Sequence, residues 1–270
     1  MSDANDTVDT GEIRGRRDAE TPPGGRVLAV VSSHDELGET GYPTGWWVSE
    51  LAHPYLALVE AGYTVDVASP AGGPAPVDAW SDPNDDQAQT PDDFVSTGFL
   101  ENDVTRRQIE ETLPLATVDP DEYDAVFLVG GYGAMYDFPG NADLVRIGRD
   151  VWERGGVVGA ICHGAAGLPD LVDGEGRSLV AGRTVTGVSK AEDQAVEEML
   201  DAQFVDVYVE DRIRDAGGDY VSGGLFQPFA VTSADGRLVT GQQQFSGATF
   251  GDQLVAALEQ RRAAAVGAGA

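Results

Sequence analysis

Lysine, cysteine and histidine are scarce in this sequence of 270 residues. It contains one cysteine, Cys162, three histidines, and only one lysine, Lys190, among its 17 basic residues. A single cysteine excludes an intrachain disulfide and a metal site built from several cysteines. The sequence also lacks any run of about 18 or more apolar residues, the length of a membrane-spanning helix. Residues 1–25 contain no apolar segment of a secretory signal, so we expect a cytoplasmic protein that contacts no membrane.

Acidic residues dominate the charge of the chain. There are 46 Asp and Glu residues against 17 Lys and Arg, which gives a formal net charge of −29. A surface of this sign repels nucleic acids and anionic membranes. The acids could recruit a basic partner, but they are spread along the whole chain rather than gathered in one block. We therefore interpret them as a hydrated, halophilic coat suited to a cytoplasm of high salt.

This acidic coat predicts that stability depends on salt. Dissolved ions screen the mutual repulsion of carboxylates, so dialysis into low salt is expected to unfold the protein. Circular dichroism across a salt series measures the effect. A protein that keeps its full stability at low salt would contradict the interpretation.

Short apolar runs alternate with helical patterns along the chain. The runs mostly lack polar alternation and predict strands buried on both faces of a parallel sheet. They cover residues 27–31, 63–68, 125–129 and 157–161, with later candidates at 184–188, 229–232 and 238–240. Helical spacing predicts helices over residues 47–60, 141–154, 191–200 and 253–262. This order is typical of a doubly wound α/β fold, in which sites lie at the carboxyl ends of strands.

One domain with flanking tails is the predicted organisation. Residues 1–25 are rich in Asp, Glu, Thr, Gly and Pro and predict a disordered acidic tail. The α/β domain covers residues 26–262, and residues 263–270 are expected to be a flexible tail. A Pro- and Asp-rich stretch, about residues 71–119, is expected to form a small cap or insertion over the sheet edge.

Cys162 stands between an apolar strand and a helix-like segment, in Ala160-Ile161-Cys162-His163-Gly164. This small-x-nucleophile-x-Gly pattern predicts a sharp strand-to-helix turn that presents the side chain, as in the nucleophile elbow of hydrolases. A thiol at a helix N-terminus is expected to have a lowered pKa. The alternative is a cysteine that packs as a small buried hydrophobe.

Three further residues are candidate partners of this thiol. His163 could act as a general base if a carboxylate orients its ring. The backbone N–H groups of Gly131 and His163 could hold a developing oxyanion, although the glycines could equally form an ordinary turn. Glu50 lies among aromatic residues near a helix start. There it could share its proton with a thiolate. Alternatively, it could be an acid that is simply stabilised by the positive end of the helix dipole.

Together these segments resemble the ThiJ/PfpI superfamily, in particular its branch of heat-shock chaperones and glyoxalase III enzymes. The resemblance extends from Arg26 to Leu258 and is carried by six ordered blocks. These blocks are residues 44–55, 67–73, 82–85, 123–137, 161–164 and 238–242.

The resemblance implies a flavodoxin-like, mainly parallel sheet with a small cap, related to the class I glutamine amidotransferase fold. It implies that Cys162 is the nucleophile, that His163 lies beside it, and that Glu50 is buried and hydrogen-bonds the thiolate. It also implies an acidic third member after the next strand, at Asp193 or alternatively at Glu192. No metal, nucleotide or glutathione is required in that family, and a homodimer is its usual assembly.

Two positions depart from the pattern of the family. Tyr132 occupies a place where a histidine is frequent, between the paired glycines, and could contact substrate. The sequence Gly241-Gln242-Gln243-Gln244 replaces the usual Gly-Gln-Asn-Pro, so the local turn could differ.

The leading functional hypothesis is a cofactor-independent glyoxalase III, a lyase that converts methylglyoxal or a related 2-oxoaldehyde to lactate. One alternative is a stress-protective holdase chaperone that binds unfolded clients through Trp46, Trp47 and Phe99. Another is a redox sensor in which Cys162 becomes oxidised beside Glu50. A third is a protein deglycase or peptidase. A glutamine amidotransferase is a poor fit, because the three histidines include none late in the chain.

Overall fold

The computed structural model describes residues 24–268, so the predicted acidic tail lies almost entirely outside the described residues. Nine strands occur in this part of the chain: β1 (Arg26–Val30), β2 (Thr64–Ser69), β3 (Leu113–Pro114), β4 (Ala125–Leu128), β5 (Val157–Ile161), β6 (Thr184–Val185), β7 (Asp219–Tyr220), β8 (Ala230–Thr232) and β9 (Leu238–Gly241). Seven of them form the central sheet in the order β3-β2-β1-β4-β5-β9-β8.

The central sheet is parallel apart from its last strand. β8 pairs antiparallel with β9, and all other neighbours are parallel. Every residue of β4, β5 and β9 is buried, because helices cover both faces of such a sheet. The predicted doubly wound, mainly parallel α/β fold is thus confirmed.

Eight α-helices accompany the strands within residues 24–268: α1 (Val48–Glu60), α2 (Phe94–Glu101), α3 (Asp103–Glu110), α4 (Ala134–Asp137), α5 (Ala142–Glu153), α6 (Lys190–Leu200), α7 (Val209–Asp215) and α8 (Gly247–Ala268). Local signals explain several of their ends. Asn141 caps α5 through its side chain, and Ser189 caps α6 in a reciprocal capping box with Glu192. Gly62 follows α1 with φ of +86°, a conformation that suits glycine at a helix C-terminus.

The last helix differs from its prediction. α8 begins at Gly247 rather than residue 253 and continues to Ala268. Residues 263–268, which the sequence suggested as a flexible tail, are therefore helical. None of the helices described is long and apolar enough to cross a membrane.

The predicted strand at residues 184–188 is mostly wrong. Only β6 is extended, and it pairs with β7 outside the central sheet. The backbone leaves the sheet because Thr186 N–H donates to the side-chain oxygen of Thr240 on β9, at 2.8 Å. Val188 N–H then donates to the carbonyl oxygen of Cys162 at 3.4 Å. The segment that was expected to be a strand thus lies against the turn at Cys162.

The insertion between β2 and β4 contains α2, α3 and β3. It packs on α1 through aromatic contacts, since the Phe99 ring lies edge-on to the rings of Trp46 and Tyr55. Trp46, Trp47 and Phe99 are all buried. They consequently offer no exposed apolar surface to unfolded proteins, which removes the observation behind the chaperone alternative.

Candidate active site

Cys162 follows β5 directly and has φ of +55°, a conformation that is uncommon and strained for a residue other than glycine. It begins a 3-10 helix, Cys162–Asp170. Two glycines make room for this turn. A Cβ at Gly164 would lie 2.4 Å from the carbonyl oxygen of Leu128, and one at Gly130 would lie 2.8 Å from Cys162 Cβ. The small residues of the motif are thus required by close packing.

His163 connects the thiol to a carboxylate. Its Nδ1 lies 3.3 Å from Cys162 Sγ, and its Nε2 lies 2.8 Å from Asp193 Oδ1. Both His163 and Asp193 are buried, and Asp193 Oδ2 has no hydrogen-bond partner among the described residues. An Asp193 carboxylate that accepts a hydrogen bond from Nε2–H leaves Nδ1 of a neutral imidazole free to accept a proton from sulfur.

Glu192, the alternative acid, has a different set of partners. Its Oε2 accepts hydrogen bonds from the backbone N–H and hydroxyl of Ser189, at 3.0 and 2.9 Å. Its Oε1 accepts from Phe226 N–H at 2.8 Å and from Gln242 Nε2 at 2.9 Å. The structure therefore brings Asp193 to His163, whereas Glu192 joins the N-terminus of α6 to the loop around Phe226.

Glu50 lies in the first turn of α1 and is fully buried. Burial raises the pKa of Glu50 to about 8, an effect that the facing Cys162 thiol and Gly130 backbone partly offset. Gly130 admits this carboxyl, since a Cβ there would lie 2.4 Å from Glu50 Oε2. At neutral pH the carboxyl is therefore mainly protonated and carries a proton that it could donate. Neither of its oxygens has a hydrogen-bond partner among the described residues.

The thiol itself differs from the expectation of a lowered pKa. Burial raises the pKa of Cys162 first, and the Glu50 carboxyl in its ionised form raises it further, whereas the backbone N–H of His163 lowers it. The helix N-terminus would lower the pKa of the thiol, but burial outweighs this effect, because a thiolate would be out of water and beside an acid. The resting group is therefore a thiol that must pass its proton to a base.

Gly131 lies at the expected position after β4 with φ of +94°. A Cβ there would lie 2.3 Å from the carbonyl oxygen of Gly45 and 2.9 Å from the nitrogen of Trp47. Within residues 24–268 no backbone carbonyl accepts a hydrogen bond from the Gly131 N–H. The backbone N–H of His163, the other expected donor, is directed at the Cys162 thiol and lowers its pKa.

The ring of Tyr132 packs against the imidazole ring of His163. Its ring centroid lies 4.1 Å from that of His163 with the planes tilted by 43°, and 5.0 Å from that of Phe204 in an edge-on contact. Burial raises the pKa of Tyr132 well above its usual range, so the phenol remains neutral. The residue that replaces a frequent histidine thus supports the orientation of His163.

A cavity of about 400 Å³ opens over these groups and is lined by Cys162, His163 and Tyr132. Sequence reasoning missed Trp80 and Phe226, which line the same cavity. It also missed Asp78, which accepts a hydrogen bond from Thr44 Oγ1 at 2.8 Å. Burial raises the pKa of Asp78 to about 6, and the nearby His163 lowers it. These residues come from loops distant in sequence, and no local motif marks them.

Gly130→Ala tests the packing of the turn. The added methyl group would meet Glu50 Oε2 at 2.4 Å and the carbonyl oxygen of Ile161 at 2.7 Å, so we expect a loss of about 2 kcal/mol or more of stability. Gly98→Ala in α2 is the matched control, because nothing lies within 4 Å of its added methyl group. Denaturant unfolding compares the two. Equal stability of both variants would contradict the tight packing.

Comparison with known proteins places these features in a family. The sequence matches the DJ-1/PfpI family over residues 45–257. A probable glutathione-independent glyoxalase of Schizosaccharomyces pombe is 33% identical over 245 residues, covering 82% of this chain and 92% of that protein. A glutathione-independent glyoxalase of Saccharomyces cerevisiae is 31% identical over 225 residues, covering 80% of this chain and 90% of that protein.

Solved structures agree with the sequence relatives. The Rapid Encystment Protein of 24 kDa from Francisella tularensis matches with a TM-score of 0.79 and 33% identity, covering 87% of this chain and 99% of that one. Glyoxalase III from Candida albicans matches with a TM-score of 0.73 and 26% identity, covering 87% of this chain and 97% of that one. The resemblance drawn from the sequence blocks is confirmed.

Proposed function

The chain belongs to the DJ-1/PfpI family, and from that premise we propose that it is a glutathione-independent glyoxalase. Its substrate is methylglyoxal or a related 2-oxoaldehyde, and its product is the corresponding 2-hydroxy acid. One observation carries the proposal: Cys162 Sγ, His163 and the buried Asp193 form a continuous chain of contacts, at 3.3 and 2.8 Å, and Cys162 and His163 line a cavity. The names of its curated relatives support the same activity.

The first step joins sulfur to the aldehyde carbon. His163 Nδ1 accepts the thiol proton, the sulfur of Cys162 adds to the carbonyl carbon, and the proton passes to the new oxygen. The product is a hemithioacetal. The N–H groups of Gly131 and His163 stabilise the negative charge that develops on oxygen. Glu50 in its protonated form donates a hydrogen bond to sulfur and favours the thiolate before attack.

The second step moves a proton between neighbouring carbons. Neutral His163 removes the proton from the hemithioacetal carbon, and a proton is returned to the adjacent carbonyl carbon, which becomes the hydroxyl-bearing carbon. The adduct is now a thioester of the 2-hydroxy acid. Water then cleaves the carbon–sulfur bond, releases lactate from methylglyoxal and restores the thiol. The sum is addition of one water, with no net oxidation.

The experiment is lactate formation from methylglyoxal by the purified protein in high salt without glutathione. We expect turnover by the wild type and none above the uncatalysed rate by Cys162→Ala, because the first bond cannot form. Thermal unfolding of both proteins verifies that the variant is folded. Equal rates for the two proteins would reject the proposal.

A further inference from the structure

The cavity over Cys162 is larger and more apolar than methylglyoxal requires. We propose that the preferred substrate is an uncharged 2-oxoaldehyde with an aromatic or bulky apolar group, and that Phe226 determines this specificity. This inference rests on the glyoxalase function proposed above and names the substrate class of the same site. It is carried by the size of the cavity, the charge of its lining and the anchoring of Phe226.

Size is the first argument. The cavity has a volume of about 400 Å³, within the range of roughly 300–1,000 Å³ found for pockets that hold drug-sized ligands. Methylglyoxal has three carbons and would leave most of this space filled with water. Side chains of Trp47, Trp80, Val188, Phe226 and Phe245 line the cavity. Such a wall gains free energy from contact with a ring or alkyl group rather than with a methyl group.

Charge is the second argument. Among residues 24–268, no Arg and no Lys lines the cavity, whereas Glu192 does. The carboxyls of Glu50, Asp78 and Asp193 are buried close to the same thiol and imidazole. A carboxylate or phosphate on the substrate would find no cation and several acids, so it would have to leave water without compensation. The site therefore selects against anionic oxoaldehydes.

The anchoring of Phe226 is the third argument. This residue has φ of +52°, and its N–H donates to the buried Glu192 Oε1 at 2.8 Å. The loop is held on both sides: Gly223 N–H donates to Gln242 Oε1 at 2.7 Å, and Gln243 Nε2 donates to the carbonyl oxygen of Gln227 at 2.9 Å. A strained residue held in this way is pre-organised. The backbone of Phe226 is thus held in place where this residue lines the cavity.

The first experiment compares kcat/KM for three substrates: methylglyoxal, phenylglyoxal and phenylglyoxal with a carboxylate on its ring. We expect phenylglyoxal to exceed methylglyoxal by about ten-fold or more, the effect of several apolar groups in a fitted pocket. The carboxylated compound should fall about ten-fold or more below phenylglyoxal. Equal values for methylglyoxal and phenylglyoxal would overturn this inference and leave the glyoxalase function standing. Absence of turnover with all three would overturn the function itself.

Phe226→Ala tests the assigned residue. We expect kcat/KM for phenylglyoxal to fall about ten-fold more than kcat/KM for methylglyoxal, and Phe226→Leu to restore much of the ratio. Phe94→Ala is the control, because this phenylalanine is highly exposed on α2 and does not line the cavity. Competitive inhibition by acetophenone, which has no aldehyde, reports ring binding without turnover and should weaken in Phe226→Ala. Parallel losses for both substrates would contradict the assignment.

Discussion

Asp193→Asn is expected to lower kcat/KM for methylglyoxal by about a hundred- to ten-thousand-fold, the range seen when a general base is lost or held in the wrong tautomer. The asparagine side chain keeps the size of the aspartate but can present its NH₂ group to His163 Nε2. The proton of the imidazole then moves to Nδ1, the nitrogen that faces Cys162 Sγ. Once protonated, Nδ1 cannot accept the thiol proton. Steady-state kinetics at constant high salt measures the loss.

Glu198→Gln is the matched control for this variant. It removes the same charge from the same helix, but Glu198 is exposed to solvent. Its kcat/KM should remain within about two-fold of the wild type. The double variant His163→Ala with Asp193→Asn should be little worse than His163→Ala alone, because the two residues act as a unit. Full additivity of the two losses would show that Asp193 acts independently of the imidazole.

Glu50→Gln makes the protein more stable relative to the wild type as the pH rises. The pKa of Glu50 is raised by burial from 4.5 to about 8, so folding favours its protonated form. The stability that this proton provides is complete below pH 4.5 and is lost as the pH rises through about 8. Glutamine is neutral throughout. Between pH 5 and pH 8 the difference in unfolding free energy should shift by about 3 kcal/mol in favour of the variant.

Denaturant unfolding at several pH values, at one high salt concentration, checks this prediction. Glu60→Gln is the control, since Glu60 lies at the exposed end of α1. Its difference from the wild type should be nearly independent of pH over the same interval. If Glu50→Gln and Glu60→Gln give the same pH dependence, then Glu50 does not hold a proton in the folded protein.

The parts of the site that follow from local sequence were predictable. The run 157–161 became β5 without any shift, because a glycine pair precedes it and the turn at Cys162 follows it. Ser189 caps α6 through its side chain, as a serine just before a helical pattern typically does. The choice between Asp193 and Glu192 could not be made from sequence alone. It depends on which carboxyl faces His163 and which faces the loop at Phe226.

Other features depend on contacts between distant segments. The raised pKa of Cys162 results from burial beside Glu50, two residues separated by more than a hundred positions, so no local pattern reports it. The loss of a strand at residues 186–188 depends on the side chain of Thr240. Phe226 gives no periodic or motif signal at all. Its proposed role in specificity depends on the contacts by which Glu192 and Gln242 hold its loop.

Glu192 and Asp193 are consecutive residues in the first turn of α6, and they contact two different parts of the site. Glu192 holds the backbone of Phe226 in the cavity wall, and Asp193 contacts Nε2 of the His163 imidazole. The loop proposed to set selectivity and the imidazole proposed to transfer protons are therefore both held by the first turn of α6. A protein engineer who rebuilds the Phe226 loop must keep Glu192 in place, because any displacement of that turn also moves the support of His163.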